Sequence, residues 1–271
     1  MDRWSAISRT LTAELGEEIT IDGLTRDWKL AQRAAGHRHS IDDVLTAHAA
    51  LRARPAADTA LDLGTGIGGV GLLVLWGLPS SARLTCIEAQ DISYRLLRAN
   101  IDGNGLAERV DAHHGDLREL ALDQRFPLVT GSPPYFPPGS GVMPADSQKA
   151  HARFELRGDV ADYARAAARH LTPDGVFVFC FPTPQKARAH AAIASAGLTL
   201  VTCRDVIPRA TLPPLFSLFA CVPRDPAIAS AELAPEVLVV RHEDGALTDE
   251  MHAVRATFGF ARSDDRSRSA R

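Results

Sequence analysis

The chain has 271 residues, of which 45% are hydrophobic and 23% charged, which suffices for a full globular core. Its net charge of −3 gives no global positive field that would indicate a nucleic-acid partner, so such a contact needs a local patch. No apolar run is long enough to span a bilayer or resembles a signal peptide. The four cysteines are widely spaced without a CxxC pair, so we expect a reduced, cytoplasmic protein without a metal site.

The first 55 residues predict short, mixed elements. Asp2–Leu15 is weakly amphipathic and predicts a helix, and Ile19–Trp28 alternates between apolar and polar residues as a strand or hairpin does. Residues 32–40 are polar and predict irregular structure. Ser40 predicts the N-cap of a helix that ends at Ala50, with two aspartates in the first turn, where acidic side chains suit the helix dipole.

From residue 59, short apolar runs alternate with helical segments, which predicts βαβ units. The predicted strands are Thr59–Leu63, Arg83–Glu88, Arg109–His113, Phe126–Thr130, Val176–Phe181, Leu198–Val206 and Leu215–Val222. The predicted helices are Gly69–Leu78, Gln90–Gly103, Asp159–Leu171 and Pro184–Ala196. Residues 208–214 join the last two strands without a helix, so we expect these strands to be antiparallel. The fold class is α/β: a doubly wound, mostly parallel seven-stranded sheet with an antiparallel edge strand, Rossmann-like.

A glycine-rich loop follows the first strand of this series. It reads Asp62-Leu63-Gly64-Thr65-Gly66-Ile67-Gly68-Gly69, and its glycines permit a sharp turn and the close approach of a ligand. Glu88 ends the next strand, where a carboxylate can accept both hydroxyls of a ribose. The loop fits both the dinucleotide pattern GxGxxG and the form D-x-G-x-G-x-G that is typical of S-adenosylmethionine (SAM) enzymes.

An acid at Asp62 favours SAM, because it suits a cationic amino group and would repel a pyrophosphate. A nicotinamide or flavin nucleotide, or a purely structural turn, are the alternatives. Asp116 ends the third strand beside Leu117 and is a candidate acceptor for the adenine amino group of SAM. It could equally cap a short helix over Leu117–Leu120.

The fourth strand runs into Ser132-Pro133-Pro134-Tyr135-Phe136. Two prolines cannot donate to a sheet ladder and hold the backbone extended and rigid. Transfer of a methyl group to an exocyclic amine requires the amine to be held in line with the donor. The Pro133 carbonyl and the Ser132 oxygen can accept the two amine hydrogens and free the lone pair, while Tyr135 stacks on the ring. The predicted catalytic residues are therefore Ser132, Pro133, Pro134 and Tyr135; the alternative is a loop that merely ends a strand.

The stretch resembles the N-P-P-Y motif of amino-methyltransferases, with serine in place of asparagine. Residues 27–45 are similar to the segment Q…G-Y-R-[FY]-x-x-D-x-V-L, residues 149–155 to A-R-x-E, and residues 238–248 to a C-terminal segment of one group. That group is the bacterial tRNA adenine-N6 methyltransferases that act next to the anticodon of a valine tRNA. The resemblance covers roughly residues 27–258 of the chain.

This resemblance implies a class I methyltransferase fold, SAM as methyl donor and, as acceptor, an adenine amine in RNA, with tRNA as the expected substrate. It also implies that the segment around Arg38 lies over the SAM site. Two positions depart from the family. Ser132 has one donor and a shorter reach than asparagine, and serine also occurs there in N4-cytosine enzymes. His37 replaces a tyrosine, which removes a stacking surface.

Two basic clusters flank the predicted site and could bracket the phosphates around a flipped base, or could be a solvated surface. They are Arg26, Lys29, Arg33, His37, Arg38 and His39, and then Lys149, His151, Arg153 and Arg157. Other acceptors left open are N4-cytosine, a small-molecule amine and a protein glutamine amide, as in release-factor-modifying enzymes. A SAM- or RNA-binding protein without catalysis is the non-enzyme alternative.

We expect four regions in the chain. Residues 1–55 form a cap over the cofactor site, and residues 56–224 form the SAM-dependent methyltransferase domain. Residues 225–262 form a small C-terminal appendage, and its first part overlaps a linker or surface excursion at 223–235. Residues 263–271 are charged and serine-rich, which predicts a disordered tail.

Overall fold

The computed structural model describes residues 2–224 and 234–261, which carry a two-stranded and an eight-stranded sheet. Most of the predicted linker and all of the predicted tail lie outside the described residues. The N-terminal segment contains helix α1 (Arg3–Leu15), an antiparallel hairpin of β1 (Ile19–Gly23) and β2 (Lys29–Arg33), and helix α2 (Ile41–Ala53). Part of the stretch that we expected to be irregular is therefore strand β2.

Helix α2 begins where the sequence predicts. The Ser40 backbone N–H donates to Asp43 Oδ2 at 3.0 Å, so a side chain in the first turn satisfies a group that the helix leaves unpaired. The helix buries Leu45, Ala47 and Ala50 against the main sheet. This packing places the N-terminal end of α2, with its aspartates, beside the residues that follow the central strands.

The main sheet has the order β10-β8-β9-β7-β6-β3-β4-β5. Its strands are β3 (Thr59–Leu63), β4 (Arg83–Glu88), β5 (Val110–His114), β6 (Phe126–Gly131), β7 (Leu171–Pro182), β8 (Leu198–Ile207), β9 (Phe216–Pro223) and β10 (Glu236–Val239). All neighbouring strands are parallel except those that pair with β9. The mostly parallel, Rossmann-like sheet predicted from the sequence is confirmed.

Two details of the sheet differ from the prediction. An eighth strand, β10, pairs in parallel with β8, so part of the C-terminal segment extends the main sheet. The antiparallel strand β9 is not at an edge, because it lies between β7 and β8. The sequence gives little sign of β10, since Leu238 is buried while Glu236 and Val237 are exposed, and four residues show no clear alternation.

Helices cover both faces of the sheet. Helix α3 (Gly69–Gly77) and helix α4 (Asp91–Gly103) pack with α2 on one face, and α6 (Val160–His170) and α7 (Lys186–Ser195) pack on the other. Helix α5 (Ser147–Arg153), which the sequence did not predict, precedes α6, and α8 (Asp249–Thr257) lies near the C-terminus. Among the helices of the described residues, none is long and apolar enough to cross a membrane.

Asn100 on α4 joins the N-terminal hairpin to the glycine loop. Its fully buried amide accepts from the Ala31 backbone N–H at 2.6 Å and donates to the Ala31 carbonyl at 3.2 Å and the Ile67 carbonyl at 2.9 Å. An unpaired buried backbone group costs about 1–3 kcal/mol, so one side chain holds three otherwise unsatisfied groups. The hairpin is thereby fixed beside the predicted cofactor loop.

We predict that Asn100→Ala lowers the free energy of unfolding by about 3 kcal/mol, because it leaves buried backbone groups of the hairpin and loop unpaired. Urea denaturation measures the change. Asn104→Ala is the matched control, since Asn104 also bonds the hairpin, at the Lys29 N–H and carbonyl, but near the surface. We expect it to cost less than about 1 kcal/mol; equal losses in the two variants would contradict the account.

Candidate active site

A cleft with a volume of about 130 Å³, open to solvent, lies at the carboxyl ends of β3, β4, β5 and β6. In a parallel sheet this edge is where ligands bind. Of the residues proposed from the sequence, the cleft brings together Arg38, Asp62, Gly64, Thr65, Gly66, Glu88, Asp116, Leu117, Ser132 and Pro134. Gly68, Pro133 and Tyr135 do not line it. The predicted residues thus come from all four strand ends and from the N-terminal segment.

Asp62 lies at the base of the cleft and is almost fully buried, at 1% exposure. Its Oδ1 accepts from Thr130 Oγ1 at 2.7 Å, and its Oδ2 accepts from Thr65 Oγ1 at 2.6 Å and the Gly71 N–H at 3.0 Å. Burial raises the pKa of Asp62 to about 6, although these hydrogen bonds oppose the shift. Its three donors are neutral groups, so the carboxylate keeps a negative charge that a nearby cationic group can pair with.

The glycine loop adopts the backbone that its sequence predicts. Gly64 and Gly66 have φ values of 58° and 60°, in the left-handed region that glycine adopts without strain. A Cβ at Gly64 would collide with the Tyr163 hydroxyl. A Cβ at Gly66 would meet nothing within 4 Å, so the open space beside it belongs to the cleft. Gly68 instead forms the N-cap of α3, with a φ of 96°, and packs against Leu72.

Glu88 ends β4 and holds the loop from the other side. Its Oε2 accepts from the Gly66 N–H at 2.8 Å, and its Oε1 accepts from the Gln90 N–H at 2.7 Å. Burial raises the pKa of this carboxyl. Each carboxylate oxygen has two lone pairs, so both oxygens keep capacity for a further donor such as a ribose hydroxyl.

Asp116 lies at the end of β5 and is already paired. Its carboxylate accepts from Arg118 Nε at 2.9 Å, from the Arg118 guanidinium again at 2.6 Å and from the Arg118 N–H at 2.9 Å. The Arg118 guanidinium lowers the pKa of Asp116. Residues 117–120 form a turn and not the short helix that we considered, and buried Leu117 lines the cleft beside it. Asp116 therefore lines the cleft and also caps this turn.

The first basic cluster is largely neutralised. Arg33 is buried, with its guanidinium 2.5 Å from Glu17 and 2.6 Å from Asp146, so it is not an RNA-facing cation. Arg38 lines the cleft, but its guanidinium lies 2.9 Å from Asp22. Similarly, His39 Nδ1 lies 3.0 Å from Asp43. The prediction of a basic patch is wrong for Arg33, because Glu17 and Asp146 pair with its guanidinium in the folded chain.

Part of the Ser-Pro-Pro-Tyr stretch lines the cleft, and part of it is buried in the core. Ser132 lines the cleft, and its Oγ accepts from the Cys180 thiol at 3.6 Å between the heavy atoms. Pro133 and Pro134 are buried. The Tyr135 hydroxyl donates to Asp42 Oδ2 at 3.1 Å and lies 3.4 Å from Cys180 Sγ. The tyrosine is therefore anchored behind the cleft by its hydroxyl, which the sequence could not show.

Helix α5 supplies Gln148, which sequence reasoning missed. Gln148, at 1% exposure, accepts from the His37 N–H at 3.2 Å and donates to Ser93 Oγ at 3.2 Å. His151 and Arg157 line the cleft on the same side. The resemblance at residues 149–155 pointed to this segment but not to a helix. In the part of the chain that the structure describes, no group of three or more His, Cys, Asp or Glu side chains could hold a metal ion.

Comparison with known proteins decides the family. The family model for the methyltransferase small domain matches residues 43–189, which is more than half of the chain. The chain belongs to this family. Its cofactor is S-adenosylmethionine, as the D-x-G-x-G-x-G loop predicts, and the chemistry of the cleft fits that molecule. The buried Asp62 suits its amino group, and the free lone pairs of Glu88 suit its ribose.

Relatives of this methyltransferase carry several names. It is 30% identical over 128 residues to a tRNA1(Val) (adenine(37)-N6)-methyltransferase of Histophilus somni, which is 46% of this chain and 53% of the relative. It is 27% identical over 173 residues to the protein of that name from Vibrio cholerae, with 64% and 70% covered. A ribosomal protein uL3 glutamine methyltransferase of Bradyrhizobium diazoefficiens is 33% identical over 130 residues, with 44% and 39% covered. The chain spans about half the length of the Histophilus relative.

Solved structures support the fold of this methyltransferase. A predicted O-methyltransferase of Agrobacterium tumefaciens matches with a TM-score of 0.58 and 18% identity, over 82% of this chain and 100% of that one. A ribosomal protein L11 methylase of Lactobacillus delbrueckii matches with a TM-score of 0.51 and 14% identity, over 76% and 99%. The class I methyltransferase fold predicted from the sequence is confirmed.

We predict that SAM affinity falls as the pH drops through about 6, because Asp62 then gains a proton and loses the charge that attracts the amino group of SAM. Calorimetry between pH 5 and 8 should show a dissociation constant that rises toward the acid side, by at most about tenfold per unit. In Asp62→Asn, binding should be weaker at pH 8, and the acid-side rise should be reduced relative to the wild type. An identical pH profile in both proteins would contradict the role of Asp62.

Proposed function

We propose that this methyltransferase moves a methyl group from SAM to an exocyclic amine, and that the amine is adenine N6 in a tRNA. One observation carries the proposal: Ser132 and Pro134 line the same cleft as Asp62 and Glu88. A residue set suited to SAM and a motif suited to a planar amine thus share one cavity. The names of the Histophilus and Vibrio relatives support adenine N6 and tRNA.

The residues that would hold the cofactor lie along the strand ends. We assign the amino group of SAM to Asp62, its ribose to Glu88, and its adenine to the region of Asp116 and Leu117. Gly64 and Gly66 allow the close backbone approach. When bound, SAM supplies a methyl group activated by its sulfonium.

The acceptor side rests on Ser132 and the prolines. The Ser132 oxygen, which lines the cleft, would accept one amine hydrogen. The carbonyl of the adjoining Pro133, which does not line the cleft in this structure, would accept the other once the substrate is bound. The two bonds would draw the nitrogen toward a pyramidal geometry and free its lone pair. Holding the amine in this way is a positioning effect and can supply much of a rate enhancement. The amine can lose its proton after the transfer, so the residues need not include a general base. Tyr135 would stack on the ring only after a movement from its place behind the cleft, where its hydroxyl bonds Asp42.

RNA would approach over the outer rim of the cleft. Arg153 is exposed at the end of α5, and Lys149 is half-exposed on the same helix, which suits phosphate contacts. Glu155 does not pair with Arg153, because its carboxylate lies 2.5 Å from Arg188. We propose that the enzyme acts in the cytoplasm, where tRNA is modified.

The proposal is tested by incubating the protein with labelled SAM and total RNA and then digesting the RNA to nucleosides. We expect the label in N6-methyladenosine from the tRNA fraction. Label in N4-methylcytidine, or no label in RNA, would contradict the proposed acceptor.

A protein glutamine amide is the second candidate acceptor, because the Bradyrhizobium relative is named for that activity. An amide nitrogen is also planar and would use the same two acceptor oxygens. Adding purified ribosomal protein uL3 to the labelled reaction separates the two. Label in the protein and not in RNA would favour the glutamine.

We predict that Ser132→Ala lowers kcat at least about tenfold, which corresponds to about 1.4 kcal/mol, because the amine loses one acceptor oxygen. Calorimetry should show SAM binding within about twofold of wild type, since Asp62 and Glu88 are unchanged. Ser140→Ala is the control, because its hydroxyl bonds only the Pro137 carbonyl in an exposed turn among the described contacts. Equal activity in Ser132→Ala and wild type would contradict the assignment.

A further inference from the structure

Four side chains form a continuous polar contact behind the cleft. The Tyr135 hydroxyl lies 3.1 Å from Asp42 Oδ2 and 3.4 Å from Cys180 Sγ, and Cys180 Sγ lies 3.6 Å from Ser132 Oγ. These residues come from α2, from β7 and from the loop after β6, so the contact is made only in the folded chain. We call Asp42, Tyr135, Cys180 and Ser132 the acceptor chain.

Cys180 occupies the centre of this chain and is fully buried, at 0% exposure. Most buried cysteines act as small apolar residues. This one differs because its sulfur lies beside the hydroxyls of Tyr135, Thr46 and Ser132, and Ser132 replaces the asparagine typical of the motif. Cys221 gives the contrast: it is equally buried, on β9, but packs in the apolar cluster on the other face of the sheet.

We propose that Cys180 is a positioning residue for methyl transfer, whose thiol orients the Ser132 oxygen so that one of its lone pairs faces the acceptor amine. The inference rests on the proposed function, since it takes Ser132 as the group that accepts an amine hydrogen. It adds a residue that neither the motif nor the sequence pattern indicates.

The chemistry of the three groups supports this role. A serine hydroxyl rotates freely and has two lone pairs, whereas an asparagine oxygen has a fixed direction. A thiol hydrogen bond to one lone pair of Ser132 leaves the other available to the cleft. Burial raises the pKa of Cys180 to about 12, so the thiol keeps the proton that it donates.

The other end of the acceptor chain fixes Cys180 and Tyr135 in turn. Asp42 accepts from the Tyr135 hydroxyl and from the Ser40 hydroxyl, and it lies in the first turn of α2. Because the Tyr135 hydroxyl donates its hydrogen to Asp42, its oxygen can only accept a hydrogen bond from Cys180. The thiol therefore has the Tyr135 and Ser132 oxygens within reach and also lies beside the Thr46 hydroxyl, so loss of Ser132 should redirect it to one of the remaining oxygens.

The hydrogen bond itself is tested by infrared spectroscopy of the S–H stretch, without substrate. A difference spectrum of wild type minus Cys180→Ala isolates the band of this thiol. We expect Ser132→Ala to shift the band, and Ser140→Ala to leave it unchanged. An unshifted band in Ser132→Ala would overturn the proposal.

The effect on catalysis is tested with Cys180→Ala, Cys180→Ser and the matched control Cys221→Ala. We expect Cys180→Ala to lower kcat about tenfold with SAM binding unchanged, and Cys180→Ser, which keeps a donor, to recover most of it. Cys221→Ala should lose comparable thermal stability and keep its kcat. If the two alanine variants retained the same kcat, Cys180 would be only a packing residue and the proposal would fall.

The infrared and kinetic experiments also distinguish a failure of this proposal from a failure of the proposed function. A wild-type protein that methylates no RNA contradicts the proposed function, while the infrared band still decides whether the thiol holds Ser132. If the wild type methylates another amine, the three cysteine variants are compared on that acceptor, with the same expected order.

Discussion

The site depends on the hydrogen bonds that the buried carboxylate of Asp62 accepts. It accepts hydrogen bonds from Thr130 on β6, from Thr65 in the glycine loop and from the N–H of Gly71 in α3. Burying a carboxylate is costly unless such donors surround it. Because Asp62 pairs directly with Thr130 across the sheet, Ser132 follows only two residues beyond the carboxylate's partner. The cofactor loop and the acceptor motif are thus held together by one group.

The sheet alone does not complete the site. The N-terminal hairpin is fixed to α4 by Asn100, and Arg33 of that hairpin bonds Gln148 of α5 at 3.1 Å. Helix α2 supplies Asp42, which holds Tyr135 from behind the cleft. The parallel strands therefore present the residues at one edge, and they are enclosed by the N-terminal segment and by helix α5, which lies between β6 and β7.

Local patterns in the sequence predicted β3 and β4 to the residue and placed Asp62 and Glu88 correctly at one edge, because parallel strands end on the same side. Contacts between distant segments could not be predicted. Asp146 lies 113 residues from its partner Arg33, and Asp42 lies 93 residues from its partner Tyr135, and no spacing rule reports such pairs. The sequence did not predict strand β10 and helix α5 for a related reason. Both are short, so tertiary packing rather than periodicity defines them.

The central claim is that an amine held by the Ser132 oxygen and the Pro133 carbonyl faces the SAM site. A crystal structure with S-adenosylhomocysteine and a short RNA containing the target adenosine tests it most directly. The account predicts the adenine N6 within hydrogen-bonding distance of Ser132 Oγ and the Pro133 carbonyl, with the sulfur on its other side. An adenine bound elsewhere, with Ser132 facing no base, would contradict it.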